Sequence, residues 1–245
     1  MHWSWRSEFE SRPSDWRLCR LGEVIDVIAG QSPDGSTIND SGIGEPFLQG
    51  NAEFGSIHPH ALYHCTAAKK RSLKGDTLIS VRAPVGEVNL SDQSYALGRG
   101  LAALRSTDID SVLLFFGMQH WRHSLRKVSQ GTTFDAIGEG NLRSMWVCFS
   151  NDPVEQKALG LAFQLVDNHI IATYAAIAAA ERLQKGLMRE LLSGRIRADG
   201  TARADADWKP DEKVGTIPRG WRVEPLKNLA TVQRGRFSHR PRNEP

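Results

Sequence analysis

Between Asp152 and Leu192 the chain runs for roughly 40 residues with Pro153 as its sole proline, and this run limits the available folds more than any other feature. Asp152 suits an N-cap, Pro153 suits the first helical turn, and Glu155 stands three residues beyond the cap as in a capping box. The two internal glycines, Gly160 and Gly186, weaken a helix by only about 1 kcal/mol each. The pattern therefore predicts one helix about 60 Å long. Alternating steps of three and four select Phe163, Val166, Ile170, Thr173, Ile177, Ala180, Gln184, Leu187 and Leu191. Seven of these nine are apolar, as a coiled-coil seam requires. A helix of average length with this stripe would lie on its own domain. One this long overhangs a domain of about 140 residues, so its far end is expected to pack against a second helix, from this chain or another.

Upstream, from Trp16 to about Ser150, short apolar runs are punctuated by Gly, Pro, Asn and Asp. "TLISVRA" (Thr77 to Ala83) and "SMWVCFS" (Ser144 to Ser150) carry the β-branched and aromatic residues of strands. "IDSVLLFFGMQHWRHSL" (Ile109 to Leu125) has the length and apolar recurrence of a helix. The expected fold class is α+β: a mixed globular domain followed by a long coiled-coil helix. Two turn-rich stretches, "GQSPDGSTINDSGIGEP" and "SQGTTFDAIGEGN", are where a rigid scaffold could present contacts.

The start of this domain recurs. "PSDWRLCRLGEVIDVIAG" (Pro13 to Gly30) matches "PRGWRVEPLKNLATVQRG" (Pro218 to Gly235) at a constant offset of 205 residues, pairing Trp16 with Trp221, Leu21 with Leu226 and Gly30 with Gly235. A domain-sized period means a tandem of large units. Between helix and repeat, "GRIRADGTARADADWKPDEKVGTIPRG" lacks an apolar period and reads as a linker.

The 245 residues, 40% of them apolar, suffice for one or two domains with a real core, and a net charge of +3 permits nucleic-acid binding without demanding it. Cys19, Cys65 and Cys148 are odd in number and far apart, describing neither a disulfide framework nor a paired-thiol zinc site. The first residues carry charges and tryptophans where a signal peptide needs an unbroken apolar stretch, so the expectation is cytoplasmic, with no membrane association. "GEGNL", "GIGEP" and "GRGLAAL" lack the spacing of a phosphate-binding loop or a dinucleotide fingerprint, and no nucleophile elbow occurs. "HPHALYHC" gathers His58, His60, His64 and Cys65, which could hold a metal ion or form a polar loop facing water; the expectation is no metal site. "AAKKRSLKGD" groups Lys69, Lys70, Arg71 and Lys74, either a solvated face or a set of phosphate contacts. Arg82 and Arg99 sit beside turn residues. With Gln31, Gln130 and Thr132, on loops or strand ends, they are the candidates for reading bases, because such side chains supply specificity at base edges.

The order of these features resembles the specificity subunit of Type I restriction-modification systems. "WRLCRLGEVIDVIAG" resembles the opening of that family's target recognition domain, "EPFLQGNAEFG" (Glu45 to Gly55) its Pro, Phe and Gly-containing strand, and "LKGDTLISVRAPVGEV" (Leu73 to Val88) its Gly-Asp to Val-Gly segment. "GTTFDAIGEGNLRSMWV" is similar to the closing stretch of that domain, "DPVEQKALGLAFQLVDNHI" to its Pro-x-Glu-Gln helix start, and "LQKGLMRELLSGRIR" to its helix ending. The resemblance implies a chain without catalysis and without a bound cofactor. It implies double-stranded DNA as a partner, one recognition domain reading one half of a split target. The helix would set the spacing and dock methyltransferase subunits, which use S-adenosylmethionine; a restriction subunit joins through the complex.

On this reading residues 1–150 form a target recognition domain, 151–194 a spacer helix, 195–217 a linker, and 218–245 the start of an incomplete second recognition domain. The helix seam is Phe163, Val166, Ile170, Ile177, Leu187 and Leu191. The family's usual build has two recognition domains, so the chain is expected to be either a truncated one-armed subunit or a half-subunit that self-associates through the helix. Two-fold symmetry in the second case calls for a palindromic split target. The alternative from another class is a coiled-coil interaction adaptor without DNA recognition.

Overall fold

The computed structural model describes residues 12–129 and 136–231; the side chains of 123–129 lie outside that description. It resolves into two compact units, Met1–Ile170 and Ile171–Pro245.

The first unit is α+β. A two-stranded antiparallel ribbon pairs β1 (Trp16–Arg20) with β11 (Trp146–Ser150), bringing the two ends of the domain together. The central sheet has four antiparallel strands in the order β2 (Ile25–Ala29), β10 (Leu101–Ser106), β7 (Thr77–Ser80), β8 (Val88–Leu90). Every residue of β7 is buried, which is why its sequence is a continuous run without apolar–polar alternation. A second sheet of five strands has the order β3 (Ile38–Asn39), β5 (Tyr63–Cys65), β4 (Glu45–Leu48), β9 (Tyr95–Leu97), β6 (Arg71–Ser72), with β4 and β9 parallel.

Helix α1 (Ser111–Ser129) packs on β7, β8 and β10, and the short α2 (Glu139–Ser144) packs on β2. The main core joins Leu21, Ile79 and Leu104 to Leu114, Phe115 and Met118 of α1 and to Val147 and Phe149 of β11. A smaller core lies between the sheets, around Leu48, Leu78, Tyr95 and Leu101. The three cysteines are free and buried, and burial raises the thiol pKa of Cys19 and Cys148.

Helix α3 (Pro153–Leu192) has the length that the proline-free run predicts. Its start departs from a capping box. The Asp152 carboxylate does accept from the Val154 N–H at 2.9 Å, but the Asp152 N–H goes to the Ser150 hydroxyl, which itself donates to Glu155. Ser150 competes because β11 runs straight into the helix and places its hydroxyl between the two groups. The next residue, Gln156, is only 3% exposed: its side-chain oxygen accepts from the Asp110 N–H, and its amide nitrogen donates to the carbonyls of Asp108 and Ser150. Gly160 has a structural reason as well, since a β-carbon there would fall 2.9 Å from the Asp110 carboxylate. A side chain would hold the helix away from the start of α1.

In the second unit, α3 ends at Leu192 and the chain turns at Gly194, whose φ of +77° suits the left-handed position after a helix. Residues 195–217, which composition presents as a linker, hold ordered structure: β12 (Trp208–Asp211) and β13 (Gly215–Pro218) form a hairpin, and Arg197 pairs with Asp207 at 2.6 Å. The hairpin turn is closed by Asp211, which accepts from the N–H groups of Lys213 and Val214, and by Gly215 at positive φ. Polar side chains binding nearby backbone build this segment, so no apolar period announces it. A four-residue helix, α4 (Leu226–Leu229), follows.

Candidate nucleic-acid interface

The two sheets of the first unit are stitched together by the segment from Leu97 to Leu101. The C-terminal ends of β2 and β7 meet the N-terminal end of β10, where Ala29 pairs with Ala102 and Ser80 with Leu101. Hydrogen bonds continue past the strands: the Gly30 N–H to the Leu101 carbonyl, the Val81 N–H to Gly100, and the Gln31 N–H to Leu97, each at 2.9 Å. From the second sheet, the Gly98 N–H donates to Leu48 at 2.8 Å and the Leu97 N–H to Lys70 at 2.9 Å.

Backbones approach so closely here that side chains are excluded. A β-carbon at Gly98 would lie 2.8 Å from the Gln49 Cα, and one at Gly100 would lie 2.7 Å from the Gln49 carbonyl oxygen. One at Gly30 would collide with the Gly98 carbonyl. The result is a tight floor of main chain packed on main chain, with Gly98 buried and Gly30 and Gly100 half-buried.

Around this floor the structure brings together Gln31, Lys70, Arg82 and Arg99. All four are exposed, and no hydrogen bond or ion pair among the described residues engages their side chains. Arg99 stands in the turn closed by the Leu101 N–H on the Gly98 carbonyl, and Arg82 follows Val81, whose N–H donates to Gly100 in that turn. Lys69 faces the same region: the Asp34 carboxyl, held below its usual range mainly by hydrogen bonds from Ser36, is lowered further by the Lys69 charge.

Two of the basic residues grouped by sequence separate in space or in role. Arg71 is engaged, its Nε donating to Glu45 at 3.2 Å. Lys74 stands at the other end of β7, in the turn where Gly75 approaches Ser111 of α1. Gln130 and Thr132 lie outside the described residues; Ala136, which follows them, bridges to Arg82. Gln49, absent from the sequence-based candidates, is exposed at the end of β4 against the glycine floor. Its signal was the polar residue closing the apolar strand "EPFL".

The histidines diverge. His58 Nδ1 bonds the Leu90 carbonyl, His60 is exposed, and Cys65 is buried against the Thr37 hydroxyl. Among the described residues no three His, Cys, Asp or Glu side chains are grouped to hold a metal ion, and no helix is long and apolar enough to cross a membrane.

The seam positions Phe163, Val166, Ile170, Ile177, Leu187 and Leu191 of α3 are 40–59% exposed, and Phe163 packs on the domain with its ring tilted against that of Phe116, 5.6 Å between centroids.

The family model for the Type I restriction modification DNA specificity domain matches residues 13–176. The chain is 35% identical over 197 residues to the type I restriction enzyme MjaX specificity subunit of Methanocaldococcus jannaschii, covering 78% of this chain and 46% of that protein. A solved structure of a type I R-M system, studied for complex assembly and conformational transition, aligns with a TM-score of 0.66 at 37% identity, over 74% of this chain and 46% of that one. The HsdS subunit from Thermoanaerobacter tengcongensis aligns with a TM-score of 0.59 at 34% identity, over 74% of this chain and 45% of that one. The chain thus spans about half the length of the relatives it matches. With two thirds of its residues inside the matched family model, the chain belongs to the Type I restriction-modification DNA specificity domain family.

Proposed function

We infer that this chain recognises double-stranded DNA by sequence, as the specificity component of a Type I restriction-modification complex. The observation that carries this reading is the gathering of Gln31, Lys70, Arg82 and Arg99, their side chains unpaired among the described residues, around a rigid main-chain floor. Lys69 and Lys70 supply phosphate contacts that set affinity, while Gln31, Arg82 and Arg99 supply base contacts. Arg71 and Lys74 contribute charge at longer range, and Gln130 and Thr132 remain candidates for base contacts. Residues 1–150 act as the recognition domain for one half of a split target, and the helix of 151–194 as spacer. The segment 195–217 connects it to 218–245, the start of a second recognition unit.

The exposed seam of α3 supports a docking role in addition. An apolar row this long in water calls for a partner, and methyltransferase subunits or a second copy of the chain would supply one. The chain itself carries no catalytic group or cofactor in this scheme; S-adenosylmethionine belongs to the methyltransferase, and a restriction subunit joins through the assembly.

The test is co-expression with the neighbouring methyltransferase, followed by mapping of methylated adenines in the host genome. Methylation at a defined split motif supports recognition and docking together. A complex that purifies intact without methylation retains docking and overturns sequence recognition. The absence of both an intact complex and methylation overturns recognition and docking together, and the double variant Ile170→Asp with Ile177→Asp should release the methyltransferase if the seam docks it.

A further inference from the structure

We propose that Gln49 and Gln31 act as a pair of base readers at the glycine floor, each taking the major-groove edge of an adenine. The proposal rests on the DNA-recognition reading above and assigns specificity to Gln49, which charge and loop position do not single out. Each glutamine is fixed by main chain at or beside the same dipeptide. The Gln31 N–H donates to the Leu97 carbonyl at 2.9 Å, and Leu48, immediately before Gln49, accepts from the Gly98 N–H at 2.8 Å. Gly98 and Gly100 both pack onto the Gln49 backbone, so its Cα cannot shift without displacing the floor. The two side chains therefore rise from a rigid base, as a reading group requires.

Their amides are free to do so. Both residues are exposed, and no hydrogen bond among the described residues engages either amide group. Glutamine has a carbonyl acceptor and an NH₂ donor side by side. That pattern is complementary to adenine N7, an acceptor, and the N6 amino group, a donor; guanine offers two acceptors there and suits arginine instead. Gln31 and Gln49 stand exposed on this tight main-chain junction, where a groove edge can reach them, while the exposed Lys70 beside it is placed to meet a phosphate.

The experiment is selection of binding sites from randomised duplex DNA by the full chain, co-purified with its methyltransferase, using wild type, Gln49→Ala and Gln49→Glu. Wild type should enrich a motif containing adenines. Gln49→Ala should lose the preference at one adenine position, weakening the enriched site roughly 5- to 150-fold while leaving affinity for scrambled duplex within about twofold. Gln49→Glu, which keeps length but offers acceptors only, should move the preference at that position toward cytosine. A motif and affinity unchanged by Gln49→Ala overturn the role of Gln49 while sequence recognition stands. Equal weakening on scrambled and selected DNA makes Gln49 a backbone contact and likewise overturns it. A wild type that enriches nothing overturns both readings.

Discussion

The side-chain oxygen of Gln156, in the first turn of α3, accepts a 2.7 Å hydrogen bond from the backbone N–H of Asp110, whose own carboxylate caps the N-terminus of α1 through Val112 and Leu113. Two helices thus begin at one buried amide. Replacing Gln156 by Ala strands an N–H and removes the donor from two carbonyls in a site closed to water. We expect a loss of about 2–4 kcal/mol in urea unfolding, against a few tenths for Lys157→Ala one residue on.

Arg105 grips Asp76 with two hydrogen bonds, of 2.9 and 2.7 Å, and Asp76 also accepts from the Leu73 N–H. The carboxylate is 4% exposed and the guanidinium 35%. Asp76→Asn keeps the shape but removes the charge on the buried side. It should cost about 2–3 kcal/mol, with Arg105→Lys recovering only part of the stability because it cannot bond both oxygens.

Thr77 makes the opposite case. It lies within the fully buried β7, and its hydroxyl oxygen finds no hydrogen-bond partner among the described residues. Thr77→Val removes that group at constant shape, and its stability should equal or exceed wild type by about 1 kcal/mol. A measurable loss would mean that the hydroxyl has a bound water.

Tyr95 is almost fully buried, and its hydroxyl donates to Asp92 at 2.6 Å; burial, with that carboxylate, pushes its pKa up to about 12. A raised folded-state value favours the protonated form, so its contribution is intact below the unfolded value near 10 and is lost as pH rises from there to about 12. Thermal denaturation between pH 9 and 12 should show a steeper loss for wild type than for Tyr95→Phe, and no difference in slope below pH 9.

Binding to DNA should report the division between the two kinds of contact. Lys70→Ala is expected to weaken binding to every duplex and to reduce the slope of log K against log salt by about one, whereas Lys74→Ala, at the far end of β7, should change the slope by much less. Fluorescence anisotropy from 50 to 300 mM salt separates the two.

Much of the architecture was legible before any coordinates. The proline-free run gives α3 almost to the residue, and the α+β character of the preceding domain follows from short β-branched runs interrupted by one long apolar recurrence. Helix capping was read correctly at Asp152 and incorrectly at Glu155, because the competing Ser150 hydroxyl comes from a strand whose direction local spacing does not encode. The hairpin at Trp208–Pro218 escaped for a related reason: its order comes from Asp207, Asp211 and Arg197 bonding backbone and each other, and such residues look the same in a coil. At the candidate interface, Gln31, Lys70, Arg82 and Arg99 were identifiable one by one, but their meeting depends on pairings between residues 19 to 71 apart. Gln49 needed the glycine contacts to be noticed. Conversely, Lys74 was grouped with Lys70 by proximity in the chain alone, and one strand, β7, carries the chain away from it.

The glycine floor has a consequence for how such a protein can change its preferences over generations. Gly30, Gly98 and Gly100 hold the local geometry through main-chain contacts, and the core behind them is filled by Leu48, Leu78 and Leu101. Side chains at 31, 49, 82 and 99 add almost nothing to that framework, so exchanging them should cost within about half a kcal/mol of stability. A lineage can therefore try new amino acids at these four positions without first acquiring a compensating mutation. The scaffold is inherited as a constant, and the vocabulary displayed on it is free to drift.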